Sequence, residues 1–139
     1  MSKVAVIYWS GTGNTEKMAN AVVEGAKGKG AEVDCMTFDN FNGSIEGYDA
    51  VAFGCPAMGA EVLEESVVEP AFTALEAKLG GVKVGLFGSY GWGDGQWMRD
   101  WQDRVSAANG VLVQDGVMAN NEPDDAALAE CKALGENLA

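Results

Sequence analysis

The chain has 139 residues, of which 47% are apolar and 22% are charged, a composition typical of one globular domain rather than a disordered segment. Acidic residues outnumber basic residues by 21 to 9, and a net charge of −12 argues against nucleic acid or an anionic membrane surface as a partner. There is no histidine, and the three cysteines form no CxxC motif, so Ser–His–Asp triads and His-ligated metal sites are excluded.

The first half of the chain alternates apolar runs of strand length with a helix-period stretch. Met18, Val22 and Ala26 recur at four-residue spacing, which predicts a helix. The predicted elements are, in order, a strand at 4–9, a helix at 14–29, a weaker strand at 32–37, a polar connection at 38–48 compatible with a short helix, and a strand at 50–54.

The second half continues the alternation after a long loop at 55–66. Pro70 suits the first position of a helix, since a helix does not use its first N–H groups. The elements that follow are a helix with one apolar face (Val68, Phe72, Leu75, Leu79), a strand at 82–88, a Gly-rich loop at 88–95, a helix with Trp97, Trp101, Val105 and Ala108 on one side, a fifth strand at 111–118, and a last helix that Asp124 and Asp125 can cap.

Five strands that alternate with helices predict an α/β domain with a parallel sheet covered on both faces. Right-handed crossovers and the chain length favour a doubly wound sheet of order 2-1-3-4-5, in one domain over residues 1–139. Ligands of such sheets bind at the carboxyl ends of the strands. The loops after strands one, three and four are therefore the candidate site.

The loop after strand one has the composition of a phosphate site without a cation. Glycines let several N–H groups point inward, the following helix adds unpaired N–H groups, and hydroxyls add O–H donors. The candidate residues are Ser10, Gly11, Thr12, Gly13, Asn14 and Thr15. The same residues also make ordinary strand-to-helix turns. A Walker loop is excluded because GK[ST] is absent, and a GxGxxG fingerprint because Glu16 stands at its last position.

Three motifs in order resemble the flavodoxins, and most closely the short-chain clostridial type. They are VIYWSGTGNTE at 6–16, GCPAMGAE at 54–61 and LFGSYGWGDG at 86–95, with a fourth similar stretch, NEPD, at 121–124. The resemblance covers the whole chain. It implies a flavodoxin-like fold and one non-covalent FMN.

The loop after strand three can change its backbone conformation. Gly59, at the second turn position, permits a positive φ, so the carbonyl of the Gly59–Ala60 peptide can point either way. The resemblance implies that this carbonyl turns toward flavin N5–H and stabilises the semiquinone, that Glu61 accepts from N3–H, and that Met58 lies against the inner ring face. Pro56 and Ala57 complete the predicted loop. Related proteins often have Asp, Asn or Gly where this chain has Ala60. An ordinary turn is the alternative.

The loop after strand four presents an aromatic side chain between glycines. Trp92 is free to stack on a planar ligand, and the resemblance implies that it covers the outer face of the flavin. The backbone around Ser89, Tyr90 and Gly91 is then expected at the pyrimidine edge, with Gly93 beside it. Asn121 either contacts FMN or caps the last helix. Trp97 and Trp101 are expected in the core, and Trp9 is compatible with either the core or the site. Cys55 is expected to pack without a redox role.

From Gly30 to Ala77 there are ten acidic residues and no Lys or Arg, which predicts attraction of a basic partner toward the flavin and repulsion between copies of the chain. Such a surface also disfavours an anionic reduced flavin. We therefore expect a monomeric, cytoplasmic, low-potential electron carrier that shuttles between semiquinone and hydroquinone, serves basic redox proteins and turns over no substrate. The alternatives are an FMN-dependent quinone or nitro reductase of the same fold and an FMN storage module.

Overall fold

The computed structural model describes residues 2–58, 61–91 and 93–139. Strands and helices alternate within these ranges, as the hydrophobic pattern predicts, except that β3 follows β2 and β6 follows β5 with no helix between them. The elements are β1 (Lys3–Tyr8), α1 (Asn14–Gly28), β2 (Glu32–Thr37), β3 (Ala50–Gly54), α2 (Val68–Glu76), β4 (Lys83–Tyr90), α3 (Gln96–Ala107), β5 (Val111–Leu112), β6 (Val117–Asn120) and α4 (Asp125–Leu138).

The strands form one parallel sheet of order β2-β1-β3-β4-β5, with β6 also paired to β4. This confirms the predicted doubly wound order. Because β1, β3 and β4 are neighbours, the loops that follow them emerge side by side at the carboxyl edge of the sheet.

Helices cover both faces of the sheet. On one face α2 and α3 pack over Phe53 and its neighbours, with Trp97 and Trp101 each 1% exposed, which confirms that both tryptophans are core residues. On the other face α1 and α4 pack over Val6, Ala52 and Phe87. None of the helices in the described ranges is long and apolar enough to cross a bilayer.

The structure corrects the predicted fifth strand, which is two short strands rather than one run over 111–118. The N–H of Val113 still donates to the carbonyl of Val84 on β4 at 3.1 Å, and residues 114–116 then leave the sheet before β6 begins. The N–H of Gly116 donates to Oε1 of Gln102 on α3 at 2.6 Å, so this backbone group bonds to a helix side chain instead of a strand.

Two local predictions are also corrected. Pro70 is the third residue of α2, not the first, and it is tolerated because the first four N–H groups of a helix have no intrahelical acceptor. The connection at 38–48 consists of turns and contains no helix among its residues, all of which are described.

Candidate functional site

A cleft of about 260 Å³ lies at the carboxyl edge, between the loops that follow β1, β3 and β4. Its described lining contains no charged side chain. The lining residues are Trp9, Gly11, Thr12, Asn14, Pro56, Ala57, Met58, Ser89, Tyr90, Gly91 and Asn121. The lining combines residues with polar donor groups from the loop after β1 with apolar residues from the loop after β3.

The loop after β1 aims backbone donors at one end of the cleft. Gly13 is the N-cap of α1 and has a φ of 92°, a conformation that glycine adopts readily. Its N–H donates to Oγ of Ser10 at 3.0 Å, which closes the loop. Among the described residues no side chain caps α1, so its first N–H groups are available to bind an anion.

A buried pair of hydroxyls lies beneath this loop. Oγ1 of Thr15 and Oγ of Ser89 are 3.2 Å apart, and the two residues are 1% and 5% exposed. Each hydroxyl has one proton, and their mutual hydrogen bond uses only one of the two. The pair can therefore donate one O–H to a ligand at the start of α1.

The lysine nearest to this loop is paired with an acid. Nζ of Lys17 lies 2.8 Å from Oε1 of Glu122, and the two side chains are 54% and 73% exposed. The contact holds the segment before α4 against α1. It also offsets the positive charge of Lys17, which leaves N–H and O–H groups as the donors at this end of the cleft.

Hydrogen bonds fix both ends of the turn after β3. The N–H of Ala57 donates to the carbonyl of Ser89 at 3.0 Å, and Met58 and Val62 exchange two backbone hydrogen bonds of 2.9 Å. Glu61 has a φ of 57°, which is uncommon for a residue other than glycine. The turn is therefore anchored to β4 on one side and closed on itself on the other.

The segment after β4 is braced from below. The ring centroids of Tyr90 and Trp97 are 5.6 Å apart, and Nε1 of Trp97 donates to the carbonyl of Cys55 at 3.0 Å. The N–H of Asn121 donates to the carbonyl of Tyr90 at 2.7 Å, which places the side chain of Asn121 at the cleft. Asp124, not Asn121, caps α4, with Oδ1 accepting from the N–H of Ala127 at 2.8 Å.

Ten of the residues predicted for the site line the cleft, and they are Gly11, Thr12, Asn14, Pro56, Ala57, Met58, Ser89, Tyr90, Gly91 and Asn121. Ser10, Gly13 and Thr15 support the loop after β1. Glu61 lines a neighbouring cavity of about 220 Å³ instead, and Gly93 lies against the Glu61 carboxylate. The predictions for Gly59, Ala60 and Trp92 fall outside the described residues.

Two features of the site were missed or left open by the sequence pattern. Trp9 lines the cleft. The sequence predicts a backbone role for Ser89 at the pyrimidine edge and does not predict that its hydroxyl lies 3.2 Å from that of Thr15. A polar residue at the end of a buried strand was the available signal for that contact.

Cys55 is packed in the core beneath the site. It is fully buried, and burial raises the pKa of its thiol to about 12. A thiol with this pKa is protonated at neutral pH and is a poor nucleophile. The expectation that Cys55 packs without a redox role is consistent with both observations.

The geometry fits a ligand that has a phosphate at one end and a flat, partly apolar ring at the other. Free N–H groups and a buried O–H meet at the start of α1, while Met58, Pro56 and Tyr90 supply apolar surface further along the cleft.

Comparison with known proteins agrees with this geometry. The family model described as flavodoxin matches residues 6–135. The flavodoxin of Megasphaera elsdenii is 49% identical over 137 residues, which cover 98% of each chain. That of Clostridium beijerinckii is 44% identical over 135 residues, 96% of this chain and 97% of the relative. The solution structure of two-electron reduced Megasphaera elsdenii flavodoxin superposes with a TM-score of 0.90 at 48% identity, with 97% of each chain covered.

Proposed function

The chain belongs to the flavodoxin family, and from that premise we propose that its cleft holds one FMN with the phosphate at the Ser10–Thr15 loop and the ring between the loops after β3 and β4. The protein is an FMN-binding electron carrier rather than an enzyme. We also propose that residues 1–139 form one FMN-binding domain.

The observation that supports this placement best is the buried pair of Thr15 and Ser89. Two buried hydroxyls lie 3.2 Å apart at a helix N-terminus, and only one of their two O–H groups is used between them. Burial of the other O–H without an acceptor costs free energy, and a polar ligand would supply that acceptor. A phosphate monoester is such a ligand, and it also accepts from the free N–H groups of α1.

FMN supplies one-electron chemistry when bound, and the chain binds, orients and shields it. We propose that Trp92 covers the outer face of the ring, that the Gly59–Ala60 carbonyl turns toward N5–H and that Glu61 holds the pyrimidine edge, as the family resemblance implies. Oε1 of Glu61 accepts from the N–H groups of residues 94–96, so Oε2 is the oxygen for this contact. The hydrogen bonds of Ala57, Met58 and Val62, which fix the two ends of this turn, support this assignment.

As a redox carrier the protein interacts with redox partner proteins, and we propose that these partners are basic and that the carrier is a monomer. Six of the ten acids between Gly30 and Ala77 are engaged internally, namely Asp34, Asp49, Glu61, Glu64, Glu69 and Glu76. Glu65 has no such contact among the described residues, and it follows the Met58 turn at the carboxyl edge. We propose that Glu65 contributes to attraction of a basic partner.

We propose a cytoplasmic location on separate grounds. All three cysteines are free thiols. Unpaired cysteines are typical of a reducing compartment.

An anaerobic reductive titration of the FMN-loaded protein tests the carrier function. A carrier accumulates a large fraction of neutral semiquinone, seen as a long-wavelength absorbance band, before it is fully reduced. A storage module would pass directly to the reduced flavin. Stopped-flow mixing with NADH and a quinone tests the reductase alternative, for which sustained NADH oxidation would be required.

A further inference from the structure

Helix α3 begins without a side-chain cap of its own. Its N-cap is Gly95, with a φ of 95°. The carboxylate of Glu61 takes this role from the loop after β3, since its Oε1 accepts from the N–H groups of Asp94, Gly95 and Gln96 at 3.2, 3.1 and 3.3 Å. A carboxylate at this position satisfies unpaired N–H groups and interacts favourably with the helix dipole.

Backbone hydrogen bonds of its neighbour fix Glu61 beside the cleft. Glu61 precedes Val62, which exchanges two hydrogen bonds of 2.9 Å with Met58, a lining residue. Gly93 lies against the Glu61 carboxylate, where an added Cβ atom would overlap the carboxylate, and its φ of 89° is a conformation that favours glycine. Glu61 therefore joins the two loops that flank the proposed flavin ring.

Arg99 holds the start of α3 from the outside. Its guanidinium donates to the backbone carbonyl of Asp94 at 3.1 Å, to Oδ1 of Asp94 at 2.9 Å and to Oε1 of Gln96 at 2.9 Å. A cation in the first turn of a helix opposes the helix dipole. The negative charge of Glu61 on the other side of the same turn offsets that cost.

We propose that Arg99 is a positioning residue that, together with the carboxylate of Glu61, clamps residues 94–96, so that binding of the flavin ring and order in the first turn of α3 are coupled. The proposal rests on the proposed function, because it places the ring between these two loops. It differs from a direct contact between Glu61 and the flavin, since Arg99 acts on the ring only through the turn at 94–96 and Glu61.

The test combines two measurements on the FMN-free protein with Glu61→Gln, Arg99→Met and the control Lys132→Met. Lys132 loses the same charge but pairs with Glu24 at 3.5 Å, on the opposite face of the sheet. The first measurement is hydrogen exchange at the amides of residues 94–96. The second is the dissociation constant of riboflavin and of FMN at fixed ionic strength.

We expect exchange at 94–96 to rise about fivefold in Glu61→Gln, the size of a typical N-cap loss, and about twofold in Arg99→Met, the size of an exposed ion pair. Both variants should weaken riboflavin and FMN binding by the same factor, since the clamp acts on the ring that the two flavins share. Lys132→Met should change neither measurement.

The proposal is overturned if Arg99→Met speeds exchange at 94–96 but leaves both dissociation constants unchanged, because the clamp would then be structural only. It is also overturned if either variant weakens FMN binding alone, which would place its effect at the phosphate. Failure of the wild-type protein to bind either flavin would instead refute the proposed function, while exchange in the flavin-free variants would still decide whether the clamp exists.

Discussion

The buried hydroxyls of Thr15 and Ser89 should set much of the preference for FMN over riboflavin, and their effects should not be additive. Thr15→Val and Ser89→Ala each remove one O–H with little change of volume. In the wild type one of the two protons is used between the hydroxyls, which are 3.2 Å apart. In each single variant the surviving hydroxyl keeps its proton for the phosphate, so the number of donors that the ligand meets stays the same.

The double variant has no hydroxyl proton to donate. A hydrogen bond to a charged group contributes about 1.5–3 kcal/mol, so the double variant should bind FMN roughly 10- to 150-fold more weakly, whereas each single variant should lose only a few-fold. Riboflavin has no phosphate, and its dissociation constant should change little in all three.

Flavin fluorescence titrations of the FMN-free proteins at fixed ionic strength measure both ligands. Equal losses for riboflavin and FMN would show that the phosphate is not at this pair. Additive single losses would show that both hydroxyls donate to the phosphate at once.

Four further predictions concern stability, steering and redox tuning. Gly135→Ala should lower the free energy of unfolding by about 1–3 kcal/mol in urea titrations, because the new Cβ would overlap the carbonyl oxygen of Val22 and push α1 away from α4. Gly28→Ala is the control and should not lower the free energy of unfolding, since no atom lies within 4 Å of its added Cβ. Glu65→Gln should slow the reduction of cytochrome c, a basic haem protein, at ionic strengths below about 0.15 M. Glu32→Gln, at the opposite edge of the sheet, should slow this reduction less. Equal effects of the two substitutions on the rate would contradict the role assigned to Glu65. Burial opposes ionisation of Glu64, but the N–H groups of residues 66–68 outweigh it and hold the pKa of this carboxyl below its ordinary value. Its contribution to stability is therefore present above the ordinary pKa of a glutamate and is lost as pH falls through the lowered pKa. Glu64→Gln should reduce the difference in unfolding free energy between pH 7 and pH 3, and an unchanged pH profile would exclude this role. Gly59→Ala should lower the maximum semiquinone fraction in a spectroelectrochemical titration with little loss of oxidised FMN, since a Cβ disfavours positive φ by about 1 kcal/mol; an unchanged fraction would show that this peptide is not the switch.

The sheet could be predicted because its central strand, β3, is apolar throughout and the interior of β1 and β4 is largely apolar. Residues 50–54 are buried at every position, as a central parallel strand requires, and the run reads the same in sequence and structure. The break in the fifth strand could not be predicted, because it depends on the bond from Gly116 to Gln102, a side chain on a helix that packs beside it. The local hydrophobic pattern of residues 111–118 carries no information about a contact with a side chain on another element.

The candidate site divides in the same way. The glycines, hydroxyls and turn residues of the three loops are local signals, and the doubly wound topology brings the loops together. The pairing of Thr15 with Ser89 joins residues 74 positions apart, and that of Glu61 with Gly95 joins residues 34 positions apart. The sequence contained one signal for the second contact. The N-cap of α3 is Gly95, which has no side chain to accept from the first N–H groups of the helix, so an acceptor from another part of the chain is expected.

The acidic surface shows why a count of charges overstates attraction between partners. Glu69 and Glu76 both bind Arg104 on α3, which lies at 2.8 and 3.0 Å from their carboxylates, so this part of the block carries a compensating cation from outside it. Glu61 and Glu64 face the N-termini of α3 and α2, whose dipoles partly neutralise them. A basic partner responds to the potential that remains after these contacts, and that potential falls off over about 8 Å at physiological salt. Uncompensated acids at the carboxyl edge, such as Glu65, therefore matter more to the approach of a partner than the total count of ten acids.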